Sequence, residues 1–165
     1  MYNILMTLKE LAKKAVEVYL LKGEIIKAPI MKKKAGIFVT IEKDNQLRGC
    51  IGTYLPTKEN IAEETVSNAL AAAFGDPRFS PVRKEELSSL SYTIYILNKP
   101  EPIKSIEELN PKKYGIIVKS ENKSGLLLPD LKGIETAEKQ ISIACQKAGI
   151  NEEKATIYRF TVIKQ

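Results

Sequence analysis

Two strand-forming runs only four residues apart settle the first question of architecture. Gly36-Ile37-Phe38-Val39-Thr40-Ile41-Glu42 is rich in β-branched residues, and Leu47 to Thr53 follows after the polar turn Lys43-Asp44-Asn45-Gln46. Parallel neighbours need a crossover of a dozen or more residues, so a gap this short predicts an antiparallel hairpin. The pattern recurs further on. Ser91 to Leu97 places Tyr92, Ile94 and Ile96 on one face. Gly115 to Lys119 and Gly125 to Leu128 are joined by Glu121-Asn122-Lys123-Ser124, and Ile157 to Ile163 reads as a final strand. Strands outnumber long helices and short turns link many of them. That predicts an α+β fold, a mostly antiparallel sheet flanked by helices.

Three segments carry helical spacing. Ile4, Leu5, Leu8, Leu11, Ala12, Ala15, Val16, Tyr19 and Leu20 recur at i, i+3 and i+4, which predicts a helix from about Asn3 to Lys22 with Gly23 as its left-handed stop. Thr7-Leu8-Lys9-Glu10 has the form of a capping box but falls inside that apolar face. A second helix starts near Thr57, its expected N-cap, with a small-residue face of Ala62, Val66, Ala69 and Ala73. Asp76-Pro77-Arg78-Phe79-Ser80-Pro81 ends it, because two prolines cannot continue a helix. A short turn through Glu85 to Leu90 comes next, and Ser105-Ile106-Glu107-Glu108 caps a brief helix ahead of Pro111. Ala137, Ile141, Ala144, Cys145 and Ala148 mark a third long helix closed by Gly149.

Composition narrows the chemistry. The chain has 165 residues, the length of a single domain, expected here to span 1–165. It contains no histidine, so no Ser-His-Asp triad, Cys-His pair, His-ligated zinc or histidine general base can be built. Two cysteines cannot supply a four-thiolate metal site, and no metal is expected. The net charge of +6 is uneven: residues 1–50 hold ten basic and five acidic side chains. Lys27, Lys32, Lys33 and Lys34 crowd one loop opposed only by Glu24. Lysine without arginine or stacking aromatics gives weak, salt-sensitive attraction, so little nucleic-acid affinity is expected. No apolar run is long enough to span a membrane, and the first six residues lack the basic start of a secretory signal. Cys50 and Cys145, far apart and without a pairing pattern, suggest reduced thiols in the cytoplasm.

The anomalous segment is Leu47-Arg48-Gly49-Cys50-Ile51-Gly52-Thr53. Strand alternation puts Arg48, Cys50 and Gly52 on one face. Gly49 and Gly52 weaken a strand unless something approaches the backbone closely or a bulge is needed. A guanidinium two residues from a thiol favours the thiolate, so Cys50 and Arg48 are candidate catalytic residues. Against that, cysteine often only fills space, and the glycines can serve packing alone. Cys145 sits on an apolar helix face and reads as core. Asp76 and Arg78 place an acid and a base in one rigid turn, either as ligand groups or as a local ion pair, and Glu85-Glu86 can cap a short helix.

The heptad resembles the signature of the AMMECR domain family. Asp76-Pro77-Arg78-Phe79, followed by Glu85-Glu86-Leu87 and the strand near Tyr92, is similar to that family's next block. Gly125 to Leu131 and Ile143-Ala144-Cys145-Gln146-Lys147-Ala148-Gly149 resemble its prokaryotic branch, the A protein of the AmmeMemoRadiSam system. Leu128-Pro129-Asp130 stands where eukaryotic relatives carry leucine-proline-glutamate. The resemblance implies an α+β fold with a larger and a smaller lobe and the heptad beside a cleft between them. It implies no particular reaction or cofactor. The system's name implies gene neighbours of Memo type and of radical S-adenosylmethionine type as partners. Gly49, Gly52, Asp76, Arg78 and Glu86 become candidate ligand-binding residues beside Cys50 and Arg48.

Three functions compete on this footing. One is an enzyme or enzyme subunit using Cys50 with Arg48 as an anion anchor. Another is a non-catalytic module binding a small ligand or a protein through the same residues. The third is a nucleic-acid-associated protein acting through the lysine loop.

Overall fold

The computed structural model describes residues 6–165. In chain order the first elements are α1 (Leu8–Lys22), β1 (Ile37–Lys43), β2 (Gln46–Thr53), α2 (Ile61–Phe74) and β3 (Leu90–Leu97). They are followed by β4 (Glu101–Pro102), β5 (Gly115–Ser120), β6 (Lys123–Leu127), α3 (Ala137–Ala148), β7 (Thr156–Phe160) and β8 (Val162–Lys164). The chain forms two compact units, the larger from residues 1–96 with 163–165 and the smaller from Leu97–Val162.

In the larger unit the sheet order is β2-β1-β3-β8. β1 pairs antiparallel with β2 and with β3, as the short connection requires. The turn is tighter than the four residues expected. Asp44 and Asn45 alone make it, both at positive φ (51° and 61°), the backbone that matches strand twist in a two-residue hairpin. Ile37, Val39 and Ile41 of β1 and Tyr92, Ile94 and Ile96 of β3 are buried on one face. α1 and α2 cover that face with Leu11, Ala12, Val16, Ala62, Val66, Ala69 and Ala73. Small side chains on α2 let its backbone come close to the sheet, and a Cβ at Gly49 would overlap the Ala72 carbonyl oxygen.

Two helix starts differ from expectation. At Thr7 the side chain accepts the Glu10 N–H at 3.2 Å, and Glu10 Oε2 accepts the Thr7 N–H at 2.8 Å. The capping box thus begins α1 rather than lying within it. Asn3, Ile4 and Leu5, where the longer helix was expected to start, lie outside the described residues. α2 is capped by Asn60, whose Oδ1 accepts from Ala62 and Glu63 at 2.9 and 3.1 Å. Thr57 is drawn off by the buried Glu64, donating its N–H at 2.8 Å and its hydroxyl at 2.7 Å. Burial pushes the Glu64 carboxyl up, but these donors with Thr53 and Lys58 outweigh it and hold the group ionised. At the other ends, Gly23 and Gly149 take the left-handed cap at φ 71° and 66°.

In the smaller unit the sheet order is β4-β7-β5-β6, and every pairing shown is antiparallel. α3 packs on β5 and β6, with Ile141, Ala144 and Cys145 against Ile116, Val118 and Leu127. Cys145 is 1% exposed, and burial pushes its thiol up. The expected final strand is two strands. β7 and β8 are separated at Thr161 and belong to different sheets. Alternation alone does not reveal such a change of sheet, because both pieces keep strand-forming residues.

Candidate functional site

β2 is an edge strand, and most of its peculiarities answer to what surrounds it. Its register against β1 shifts between Ile41 and Glu42: Ile41 pairs with Gly49 and Glu42 with Leu47, leaving Arg48 with no residue opposite. This is a β-bulge, which re-aims the extra side chain and breaks the alternation on which a shared face for Arg48 and Cys50 rested. The Arg48 guanidinium instead grips Glu86, Nε to Oε1 at 2.9 Å and Nη2 to Oε2 at 3.0 Å. Glu86 lies in a 3-10 turn spanning Lys84–Ser89. It also accepts Lys43 Nζ at 3.3 Å and the Arg83 N–H at 2.8 Å. The paired side chains of Arg48 and Glu86 are 13% and 14% exposed. The Arg48 hydrogen bonds outweigh the effect of burial and, with Arg83 and Lys43, hold the Glu86 carboxyl down at about 2.

Cys50 is tied down by a different partner. Its N–H donates to Asp76 Oδ2 at 3.0 Å, and its carbonyl accepts from Arg78 Nη2 at 3.4 Å. The turn side chains therefore occupy the place of a further strand and seal the edge at that residue. Open edges invite unwanted pairing, and covering them is the usual remedy. Asp76 also accepts the Arg78 N–H at 3.0 Å, Arg78 Nε at 3.1 Å and Arg78 Nη2 at 2.8 Å. The Arg78 side chain, against burial and with the Cys50 N–H, holds the Asp76 carboxyl well below the usual carboxylate range. Arg78 is raised in turn, first by Asp76 and in smaller part by the charge of Cys50. The half-buried Cys50 Sγ lies 3.2 Å from Thr40 Oγ1 on the paired strand.

The two glycines are accounted for by close approach. Gly49 meets the α2 backbone, and a Cβ at Gly52 would run into the Phe38 ring. Phe79 stands between the two clamps in sequence and in space. The Arg48 and Arg78 guanidinium carbons are 6.0 and 5.5 Å from its ring centroid. An open pocket of about 680 Å³ lies here, lined by Lys43, Arg48, Phe79, Ser80, Arg83, Glu85 and Glu86. Of the expected site residues, Arg48 and Glu86 line it directly. Cys50, Asp76, Arg78, Gly49 and Gly52 build the strand and turn beside it. Lys43, Phe79, Ser80, Arg83 and Glu85 were not anticipated as ligand-binding residues. For Phe79, Ser80, Arg83 and Glu85 the sequence signal was adjacency to the Asp-Pro-Arg turn or to Glu86, and Lys43, at the end of β1, had none.

In the lysine loop, Lys34 pairs with Glu59 at 3.3 Å, and Lys27, Lys32 and Lys33 are exposed. Among the described residues no three Cys, Asp or Glu side chains converge as metal ligands, and no helix is long and apolar enough to cross a membrane.

The fold and site define an α+β protein in which two arginine–carboxylate clamps fix a glycine-rich, thiol-bearing edge strand. The AMMECR1 family model matches residues 9–165, across both units, and the chain belongs to that family. A protein of Thermotoga maritima is 49% identical over 158 residues, covering 90% of this chain and 91% of its own. A longer protein of Clostridium acetobutylicum is 43% identical over 163 residues, and the match covers 94% of this chain but 35% of that protein. The crystal structure of an uncharacterised protein from Pyrococcus horikoshii superposes with a TM-score of 0.89 at 32% identity. That match covers 95% of this chain and 88% of the other.

Proposed function

We infer that the chain is a small-ligand binding module, with the pocket lined by Phe79, Arg83 and Glu86 as its site and β2 as a fixed wall. The observation that carries this reading is the state of the two carboxylates tied to that strand. Asp76 accepts from the Cys50 and Arg78 N–H groups and from the Arg78 guanidinium, and Glu86 accepts from Arg48, Lys43 and the Arg83 N–H, donors that lower both carboxyls from their usual range. A group so deprived of basicity is a poor proton acceptor, and the chain has no histidine to replace it. A preformed, partly apolar recess of this size suits binding, since ligand pockets run to roughly 300–1,000 Å³. Cys50 and Cys145, neither of them in a disulfide, support a cytoplasmic setting.

Amide spectra of the whole chain, titrated with a neutral-pH fragment mixture, test this. The expected shifts cluster at Lys43, Phe79, Ser80 and Arg83, and they are the same in Cys50→Ser. Shifts scattered over both units, with none saturating at the pocket, would remove the reading.

One observation favours a second reading, an enzyme or enzyme subunit using Cys50. Arg78 hydrogen-bonds the Cys50 carbonyl at 3.4 Å, which puts a guanidinium beside the thiol-bearing residue. In that reading Arg78, rather than Arg48, activates the thiol, and Arg48 holds Glu86.

A further inference from the structure

The pocket presents three cations, Lys43, Arg48 and Arg83, and two acids, Glu85 and Glu86. Glu86 is already spent, because Arg48, Lys43 and the Arg83 N–H take up its two oxygens. Arg83 is different. Its backbone is pinned by Glu86, yet among the described residues its guanidinium has no ion pair, and the residue is exposed. A planar fork of donors on a fixed backbone, with its charge uncompensated, matches a carboxylate or a phosphate. Ser80 adds an exposed hydroxyl to the same lining. Phe79 offers the apolar surface. The electron-rich face of a bare phenyl ring repels anions, but guanidinium carbons at 6.0 and 5.5 Å from its centroid offset that repulsion. The three cations of the lining exceed its two acids by one, so the pocket favours an anion over a cation, and a purely apolar ligand would cover the free Arg83 without giving it a partner.

We propose that the pocket receives a small organic anion, its carboxylate or phosphate held by Arg83 and Lys43 and its apolar body against Phe79. This rests on the reading of the pocket as a ligand site and adds the ligand's class. It also gives Glu86 a second purpose beyond locking β2. By engaging Arg48 through both oxygens, Glu86 leaves the ligand to the unpaired Arg83, with Lys43, held by one longer bond, beside it.

The test uses the full chain and four probes that share one ring: phenyl phosphate, benzoate, benzyl alcohol and benzylamine. Inorganic phosphate is the probe without a ring. Amide shifts of Lys43, Phe79, Ser80, Arg83 and Glu85 are followed in each titration. The two aromatic anions should shift these amides saturably, benzyl alcohol should bind far more weakly, and benzylamine should not bind. The tighter of phenyl phosphate and benzoate identifies the anion. Arg83→Gln should weaken both by about tenfold, the order expected for losing a charge-assisted pair. Phe79→Leu should weaken phenyl phosphate and leave inorganic phosphate unchanged. Arg83 is exposed, so its variant should keep the wild-type thermal midpoint. Benzyl alcohol binding as tightly as benzoate, or Arg83→Gln without effect, would overturn the anion assignment while leaving a ligand pocket. If no probe moves the pocket amides, the anion assignment and the ligand-site reading fail together.

Discussion

Gly49 and Gly52 sit three residues apart in one strand and are small for different reasons, which makes them separable by substitution. A Cβ at Gly49 would strike the Ala72 carbonyl oxygen, a backbone atom of α2 that can move only with its helix. A Cβ at Gly52 would strike the Phe38 ring at Cγ, and only a change of rotamer by the whole half-buried ring would clear it. Overpacking in a dense interior costs about 1–3 kcal/mol and occasionally more. Gly49→Ala should reach the upper end of that range in urea denaturation, and Gly52→Ala should cost less, because a side chain can change rotamer where a helix backbone cannot. Equal losses would show that α2 is not seated on the strand as described. The thiols separate in the same way. Cys145 is sealed in the smaller unit's core, whereas Cys50 is half-buried beside Arg78. Alkylation followed by mass spectrometry should label Cys50 first. Arg78→Gln should slow that labelling near neutral pH more than Arg48→Gln does, because Arg48 is committed to Glu86. The opposite order would return Arg48 to the role its place two residues from the thiol suggested.

At the level of elements, the 3-10 turn at Lys84–Ser89 and the Asp76 turn act on β2 as two clamps, and both depend on charge. The Glu86 carboxyl, at about 2 in the folded chain, is depressed from an ordinary value near 4.5. A depressed carboxyl contributes stability that is fully present above the unfolded value and is lost as pH falls toward the folded one. Denaturation free energy should therefore drop between about pH 5 and pH 2, and Glu86→Gln should flatten part of that slope. The flattening should be about 2 kcal/mol, since a tenfold change in a carboxyl's acidity corresponds to about 1.4 kcal/mol and solvent screening removes part of the total. An unchanged slope in Glu86→Gln would mean that this clamp does not contribute. Asp76 titrates in the same direction, so the comparison must be made against wild type rather than against a flat line.

What could be read in advance follows the range of the interactions. The hairpin, the sheet face of Tyr92, Ile94 and Ile96 and the caps at Gly23 and Gly149 arise from neighbours in sequence, and they were legible. The bulge at Arg48 was not, because it depends on how β2 registers against β1. Glu86 and Arg78 were singled out by type and by resemblance, yet their partners were hidden. Arg48 reaches Glu86 across 38 positions and Arg78 reaches Cys50 across 28, distances over which spacing says nothing. Thr57 was displaced as a cap by Asn60 because buried Glu64 needed its donors, a demand visible only once α2 is packed.

For the molecule as a whole, one family model covers both units, but the pocket lies in the larger one. We infer that this site binds rather than reacts: the clamps fix a wall, the pocket beside it takes a ligand, and the thiol is not required. The most direct measurement is the affinity of the tighter aromatic anion in wild type, Cys50→Ser and Arg83→Gln, with intact mass recorded after each titration. Binding unchanged in Cys50→Ser, weakened in Arg83→Gln and without added mass is the predicted result. Binding lost in Cys50→Ser, together with a ligand adduct on wild-type Cys50, would contradict the binding-module reading and establish the thiol as the reacting group.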